Sequence, residues 1–425
     1  MFKRCSNWLA LNSVVLLFLL TLILFTSKSL YNYPVSIMAL LGLIYLLKAP
    51  VGIWQSPATR AYIILFMCLW LPLLFSYPDA VNPERSVKTV FPYLRFLFMG
   101  IFVIEAIRNI QISNRIHLLI FILMSFWCLD GVIQYFFTYN LLGFPKSSGY
   151  ITGVFFPEIT IGHVSAALSP LYFEFVRRSS HKYKWLWVLL LPLFAVVLLS
   201  GRRAAWIMLA VSTMGYLFYY LKLNRYELRI IKRLSVVGIF LLISLSMIVA
   251  SNAPMQKRIA VTSNVLSGDY ELINDASGKR LHLWETSVNI FRANWINGVG
   301  PRGFRFVYQD YSASDNYFHE IGQTHPHQML LEIAAETGML GIVGLLLFVF
   351  LLYRFIKVNR LGMTLFPWYL SIIVVLFPIN THMAFYGSYW SSIFWWLMAL
   401  SFATASIQLI ENKQSTEKRK NQTDK

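Results

Sequence analysis

The chain has 425 residues, of which 57% are hydrophobic and only 13% are charged, and its formal net charge is +18. No water-soluble fold of this length could bury so much apolar surface, so the composition excludes a soluble globular protein and predicts one whose solvent is the bilayer. The three cysteines lie near the N-terminus or inside apolar runs. They therefore predict neither a disulfide framework nor a metal site.

Apolar runs long enough to cross a membrane recur along the chain. We expect about twelve transmembrane helices in an all-α polytopic membrane protein. The runs fall near residues 8–26, 33–48, 59–77, 90–107, 116–138, 158–176, 184–200, 204–222, 233–250, 337–356, 363–382 and 386–409. The first run has a basic start without a small-residue cleavage site after it, so we interpret it as a retained span rather than a signal peptide.

The basic residues assign the two sides of the membrane. Most of the 37 lysines and arginines fall in connections that share a side with both termini, and the positive-inside rule makes that side cytoplasmic. The charge is therefore a topology signal and predicts no nucleic-acid partner. The predicted organisation is nine spans over 1–250, an outward loop over 251–336 that carries the chemistry, three spans over 337–409 and a basic cytoplasmic tail over 410–425.

Two adjacent arginines occupy the tight outward turn between the seventh and eighth spans. Arg202 and Arg203 have no acidic neighbour in sequence, and a charged pair at the outer end of two spans is costly unless it is solvated or paired. An anion carried by a lipid, such as a pyrophosphate, would pair with them. Equally, both side chains could extend to lipid headgroups.

The first candidate in the outward loop is an amphipathic helix predicted over 277–295, with Ser277 as its N-cap. Arg280 and Trp284 lie one turn apart on nearly the same face of this helix. A guanidinium beside an indole suits a phosphate or sugar ligand, because the planar fork binds two phosphate oxygens at once. The alternative is that Arg280 pairs with Glu285 or reaches lipid headgroups.

A glycine-rich turn follows over 297–303 and contains Arg302. Such a turn could let backbone amides approach a phosphate or a sugar. It could equally be only a tight connection between two helices. On its own, the pattern does not separate the two interpretations.

The end of the loop, at Thr324-His325-Pro326-His327, is typical of a helix start, and this helix should stop at 337–338. In its first turn, His327 would meet the positive end of the helix, which favours the neutral imidazole that a general base needs. The alternative is a histidine that caps the helix or bonds to a backbone carbonyl. The His-x-His pair lacks a third ligand, so we expect no metal.

Three short motifs thus follow one another between Ser200 and Gly341. They are Arg203-Ala-Ala-Trp206, Arg280-Leu-His-Leu-Trp284 with Gly298-Val-Gly300, and His327-Gln-Met-Leu-Leu331 with Glu336-Thr-Gly338-Met-Leu-Gly341. Their order and their placement relative to the spans resemble the O-antigen ligase family, which shares its large-loop domain with O-antigen polymerases and protein O-oligosaccharyltransferases. The chain departs from the family pattern at Arg202, where a small hydroxyl residue is common, and at Gln328, where asparagine is commoner.

The resemblance implies a GT-C-like fold with a large periplasmic helical loop between the ninth and tenth spans, in the inner membrane of a Gram-negative bacterium. It implies metal-independent, inverting transfer of O-antigen from undecaprenyl pyrophosphate to a sugar hydroxyl of lipid A–core, with no cofactor and with membrane lipid around it. His327 would be the general base, and Arg203 and Arg280 would stabilise the leaving pyrophosphate. The residues expected to bind substrate are Arg202, Trp206, Trp284, Arg302, His325 and Gln328.

Other interpretations stay open at this point. A polymerase would use the same chemistry with a second carrier-linked glycan as acceptor, and the short tail argues against the protein-glycosylating branch. A transporter or flippase is more remote, because the sequence shows no two-half repeat. The sequence does not indicate an oligomeric state. From their sidedness alone, Arg85, Lys88 and Lys146 could add to the surface that meets the phosphates of the acceptor.

Overall fold

The protein is described from a computed structural model that defines residues 2–107, 110–377 and 383–423. Within these ranges the chain is almost entirely helical, and its strand-like pairing is limited to two isolated bridges. The helices are α1 (Phe2–Leu24), α2 (Asn32–Lys48), α3 (Pro50–Gln55), α4 (Pro57–Ser76), α5 (Pro83–Ala106), α6 (Ile110–Phe137), α7 (Ile161–Ser179), α8 (Leu190–Leu199), α9 (Arg203–Leu223), α10 (Leu228–Ala250), α11 (Ala253–Ser263), α12 (Tyr270–Ser277), α13 (Arg280–Ala293), α14 (Phe304–Tyr311), α15 (Met329–Val358), α16 (Phe366–Leu376) and α17 (Ser388–Thr423).

The predicted class, an all-α polytopic membrane protein, is confirmed. Each of the twelve predicted spans coincides with helix in the described residues, although 378–382, the end of the eleventh span, lies outside them. Seven described helices are long and apolar enough to cross a membrane, namely α4, α5, α6, α9, α10, α15 and α17. Shorter apolar helices cover Ser13–Leu24, Asn32–Lys48, Lys184–Leu199 and Phe366–Leu376.

Helix α7 is less apolar than the other spans because it occupies the middle of the bundle, packed on α6, α8, α9 and α16. Its one carboxylate is buried with partners. The fully buried Glu174 accepts hydrogen bonds from Arg177 at 2.8 and 2.9 Å and from the Tyr216 hydroxyl at 2.8 Å. A buried carboxylate needs such partners to offset its desolvation.

The outward loop forms helices α11 to α14 and has a small apolar core of its own. This core joins α13 and α14 to Ala335 of α15, through Leu283, Ile290, Val299, Phe304, Val307 and Tyr308. The prediction that α13 starts after Ser277 is wrong, because Gly278 and Lys279 both adopt left-handed backbone, with φ of 79° and 62°, and delay the start to Arg280. Ser277 still caps the helix, since its Oγ accepts the Arg280 N–H at 3.0 Å.

Helix α15 begins later than the sequence predicts, at Met329 and not around Pro326. The Gln328 side chain is its N-cap and accepts the Leu331 N–H at 2.6 Å. His327, with a φ of 57°, therefore lies just before the cap and not in the first turn. The predicted stop at 337–338 is present as a break at Gly338 (φ 60°, ψ −152°), after which the helix continues to Val358.

Candidate active site

Arginines from two of the motifs meet where the start of α9 contacts the outward loop. Arg203, the first residue of α9, donates a hydrogen bond from Nη1 to the Ala276 carbonyl near the end of α12, and the same atom lies 3.4 Å from the Thr262 hydroxyl. The connection that follows Ala276 leads directly to Arg280, the first residue of α13. The fold therefore brings Arg203 near Arg280, and their role at a pyrophosphate stays a prediction.

The positively charged side chains at this contact disfavour one another's protonated form. Burial, and after it the nearby guanidinium groups of Arg203 and Arg202, lower the pKa of Arg280 to about 10. Burial and then Arg258 also lower the pKa of Arg202. At neutral pH these groups stay protonated, so the fold holds crowded positive charge beside the N-terminus of α13, which adds its own partial positive charge. An anion bound here would relieve both effects.

Arg258 on α11 is a further member of this group, which sequence reasoning missed. It donates hydrogen bonds to the Gly201 carbonyl and the Tyr150 hydroxyl, and its guanidinium lies 4.6 Å from the centroid of the Tyr150 ring. Tyr150 is 108 residues away in sequence, so no local pattern signals the contact. We refer to Arg202, Arg203, Arg258 and Arg280 as the arginine cluster.

The two tryptophans of the motifs differ in what their indole N–H groups do. Trp206 donates to the Leu198 carbonyl at 3.1 Å and so ties α9 to the end of α8. Trp284 packs against the core of the outward loop, and its buried Nε1 has no acceptor within the described ranges. The buried Trp284 N–H therefore lacks an acceptor, whereas that of Trp206 has one. Substrate binding by either residue stays a prediction.

His327 is half-buried and lies against His325, with 4.0 Å between the ring centroids. The His325 Nδ1 is 2.9 Å from the Thr324 hydroxyl. The left-handed backbone of His327 is uncommon for a residue other than glycine, and such backbone is concentrated at functional sites. In the described part of the chain, no group of three histidine, cysteine, aspartate or glutamate side chains could hold a metal ion.

The glycine-rich turn is packed against α15 through its backbone. Val299 N–H donates to the Ala335 carbonyl at 3.0 Å, and a Cβ added to Gly298 would lie 2.5 Å from the backbone of Glu336 and Thr337. The turn thus needs glycine in order to approach α15 closely. This geometry favours the tight-connection interpretation over an open cradle for phosphate.

Arg302 belongs to a buried ion-pair network and not to the arginine cluster. Its backbone N–H donates to Glu336 Oε2 at 2.7 Å, and its Nη1 lies 3.5 Å from Glu332 Oε1. Glu332 also accepts the backbone N–H groups of Phe385 at 2.8 Å and Tyr386 at 3.0 Å. We call Arg302, Glu332 and Glu336 the Arg302 network. Its two glutamates were not predicted as functional residues.

Comparison with known proteins shows what part of the chain is similar to. Residues 188–349, which contain the arginine cluster and His327, match the family model described as O-antigen ligase. This region is therefore similar to the O-antigen ligase family, and we call it the ligase-family region. A Rickettsia felis protein named "Putative polysaccharide ligase" is 24% identical over 325 residues, which are 74% of this chain and 72% of the relative. An uncharacterized protein of Haemophilus influenzae is 23% identical over 360 residues, or 82% of this chain and 85% of that protein.

The family match and the named relative indicate an enzyme of the ligase type, with polysaccharide and lipid substrates in a membrane environment. Within the ligase-family region, the arginine cluster and the start of α15 are the places where charged and titratable side chains converge. The apolar helices around them supply the membrane setting.

Proposed function

We propose that the protein is an O-antigen ligase, which transfers O-antigen from undecaprenyl pyrophosphate to a sugar hydroxyl of lipid A–core. Its site would face the periplasm at the inner membrane of a Gram-negative bacterium. The observation that carries the proposal is the arginine cluster, in which guanidinium groups from separate motifs of the ligase-family region crowd together. A pyrophosphate would add negative charge to this crowded group of guanidinium groups and accept hydrogen bonds from them.

The proposed reaction breaks the bond between the anomeric carbon and a pyrophosphate oxygen and forms a bond from that carbon to the acceptor oxygen. The leaving pyrophosphate keeps the bonding electrons, and Arg203 and Arg280 stabilise the charge that develops on it. His327 takes the proton of the acceptor hydroxyl, which is otherwise a weak nucleophile. An in-line displacement inverts the anomeric centre.

The test is a lipopolysaccharide gel, with parallel extraction of carrier-linked glycan, from a deletion strain complemented with each variant. Arg280→Ala and His327→Ala should leave core without O-chain while long glycans accumulate on the carrier. Losing the Arg280 cation should cost about 100- to 1,000-fold in rate, and losing the general base about 100- to 10,000-fold. Two variants serve as matched controls and should keep the ladder: Arg292→Ala at the exposed far end of α13, and His319→Ala, whose ring bonds only to Ser312 in the described residues.

The outcomes separate the competing functions. Core capped with a single repeat in the variants would identify a polymerase. Vesicle transport of glycan that persists in His327→Ala would favour a transporter. An unchanged ladder in His327→Ala or Arg280→Ala, at normal membrane levels of the protein, would remove that residue from the mechanism.

A further inference from the structure

A second cationic cavity, of about 200 Å³, lies beside α5 and shares no lining residue with the arginine cluster. It is lined by Arg85, Lys88, Thr89, Pro92, Tyr93, Arg95, Phe96, Arg302, Tyr386, Gly387 and Ser388. Four of these described residues are cations and none is a carboxylate. The cavity lies at the same end of the bundle as the outward loop, because the Ser86 hydroxyl donates to the Pro301 carbonyl at 3.0 Å.

Arg95 is the least expected of the four cations, because it lies within the apolar helix α5. Its Nη2 is 2.5 Å from the Ser388 hydroxyl, and its guanidinium is 4.8 Å from the centroid of the Phe96 ring. Its Nε is buried and has no hydrogen-bond partner among the described residues. A charge in a membrane helix is costly without a counter-ion, and it usually marks a place where a ligand or a polar pathway supplies one.

The other three cations differ in how they are balanced. Lys88 pairs with Glu84 one turn earlier on α5, and Arg302 is paired with Glu332 in the Arg302 network. The exposed Arg85 side chain has no hydrogen-bond or ion-pair partner in the part of the chain that the structure describes. Two of the four positive charges are therefore uncompensated.

The positive charges that line this cavity also affect the pKa of a neighbouring arginine. Burial is the main reason why the pKa of the neighbouring Arg305 is lowered, and Arg302 and Arg85 lower it further. The glutamates of the Arg302 network, which oppose this effect, do not cancel it. The region thus carries a net positive charge even with its internal ion pairs in place.

The wall of the cavity is hydrogen-bonded to the first turn of α15, which follows His327 in the chain. Glu332, in the first turn of α15, accepts the N–H of Tyr386, which is part of the cavity wall. His327 precedes Glu332 by five residues, so it lies on the order of 10 Å from this wall. A ligand longer than this separation could be held in the cavity by one group and present another group to His327.

We propose that this cavity, through the uncompensated guanidinium groups of Arg85 and Arg95 in its wall, binds a phosphate group of the acceptor glycolipid and so places the acceptor hydroxyl at His327. This inference rests on the proposed function and adds an anion site to that of the donor. Guanidinium groups suit the task because each can give two parallel hydrogen bonds to phosphate oxygens. A phosphate of the same chemistry is carried by anionic phospholipid headgroups, so the test must separate the two sources.

The test is a transfer assay with the full-length protein in proteoliposomes of phosphatidylcholine, with or without phosphatidylglycerol. The acceptor is supplied with its phosphate groups or after their enzymatic removal. For the wild type, removing the phosphates should raise the acceptor KM on the order of 10- to 100-fold and leave the donor KM unchanged. Arg85→Gln and Arg95→Gln should raise the KM for the phosphorylated acceptor similarly and change little with the dephosphorylated one.

Arg292→Gln is the matched control, because it removes an exposed arginine of the outward loop that lies outside the cavity. It should leave the acceptor KM unchanged. A defect in Arg85→Gln and Arg95→Gln that is equal for both acceptors, and that appears only with phosphatidylglycerol present, would assign the cavity to lipid headgroups and overturn the proposal. The same acceptor KM in the wild type and in both cavity variants would also overturn it.

Equilibrium binding of the phosphorylated acceptor without donor separates failure of this inference from failure of the proposed function. Suppose that the wild type binds the phosphorylated acceptor, that Arg85→Gln weakens this binding, and that the wild type transfers nothing. This result would overturn the proposed ligase activity and with it the acceptor role of the cavity. Transfer that proceeds with an acceptor KM insensitive to phosphate removal would overturn the cavity assignment alone.

Discussion

The arginine cluster and the Arg302 network place the same side chain in opposite environments at one end of the bundle. Arg302 has two buried glutamates as partners, one through its guanidinium and one through its backbone N–H. Arg203 instead donates to a carbonyl and contacts a hydroxyl, and it lowers the pKa of Arg280. Arginine that is paired inside the protein holds the fold together, whereas arginine crowded with like charge is available to an anion.

The largest effect on stability is expected when the Arg302 network is broken. Glu332→Ala removes the partner of Arg302 and of two backbone N–H groups, and leaves them buried and unpaired. We expect a loss of about 3–5 kcal/mol, since an uncompensated buried charge is strongly destabilising. The measurement is the thermal unfolding midpoint of the purified protein in detergent. Glu320→Ala, which removes an exposed glutamate of the loop, is the control and should not shift the midpoint. An unshifted Glu332→Ala protein would mean that the network does not stabilise the fold.

A smaller loss is expected where the network's helix meets the glycine-rich turn. Gly338→Ala places a Cβ 2.5 Å from the backbone of Ile296 at a residue whose φ is 60°. The strain should cost about 1–3 kcal/mol in the same unfolding assay. Gly322→Ala has a similar φ of 69° but no atom within 4 Å of the added Cβ, so it isolates the conformational part. Equal shifts in the two variants would show that the close approach to Ile296 adds nothing.

The smallest stability effect is expected in the arginine cluster, and with the opposite sign. Arg280→Gln removes a charge that burial and two neighbouring arginines disfavour. We expect the unfolding midpoint to stay the same or to rise, by up to about 1 kcal/mol in stability, while transfer activity is lost. A drop comparable to that of Glu332→Ala would make Arg280 structural and would remove the contrast between the two sets.

The length and apolar content of the runs were sufficient to predict where apolar helices lie, because a bilayer imposes both on every crossing helix. The helix ends were less predictable. The start of α13 depends on two successive left-handed residues, Gly278 and Lys279, and the start of α15 depends on a side-chain cap from Gln328. Both helix starts depend on the local backbone conformation, which differs between sequences of similar composition.

The site was predictable only where motifs carried it. Arg203 and Arg280 could be expected to meet, but contacts such as Arg258 on Tyr150 and Arg95 on Ser388 join residues 108 and 293 positions apart and leave no local pattern. The predicted side of the membrane placed Lys146 in one group with Arg85 and Lys88. The structure separates them, because Lys146 donates to the Tyr135 carbonyl at 2.9 Å and lines a different cavity.

The bond from Arg203 to the Ala276 carbonyl means that this guanidinium also fastens the end of α12 onto α9. An anion that displaces this carbonyl from the Arg203 guanidinium would unfasten α12, so that occupancy of the arginine cluster and fastening of the loop would be thermodynamically linked. The linkage is reciprocal. Release of α12 from α9 would strengthen the binding of the anion, and dissociation of the anion would let α12 bind to α9 again.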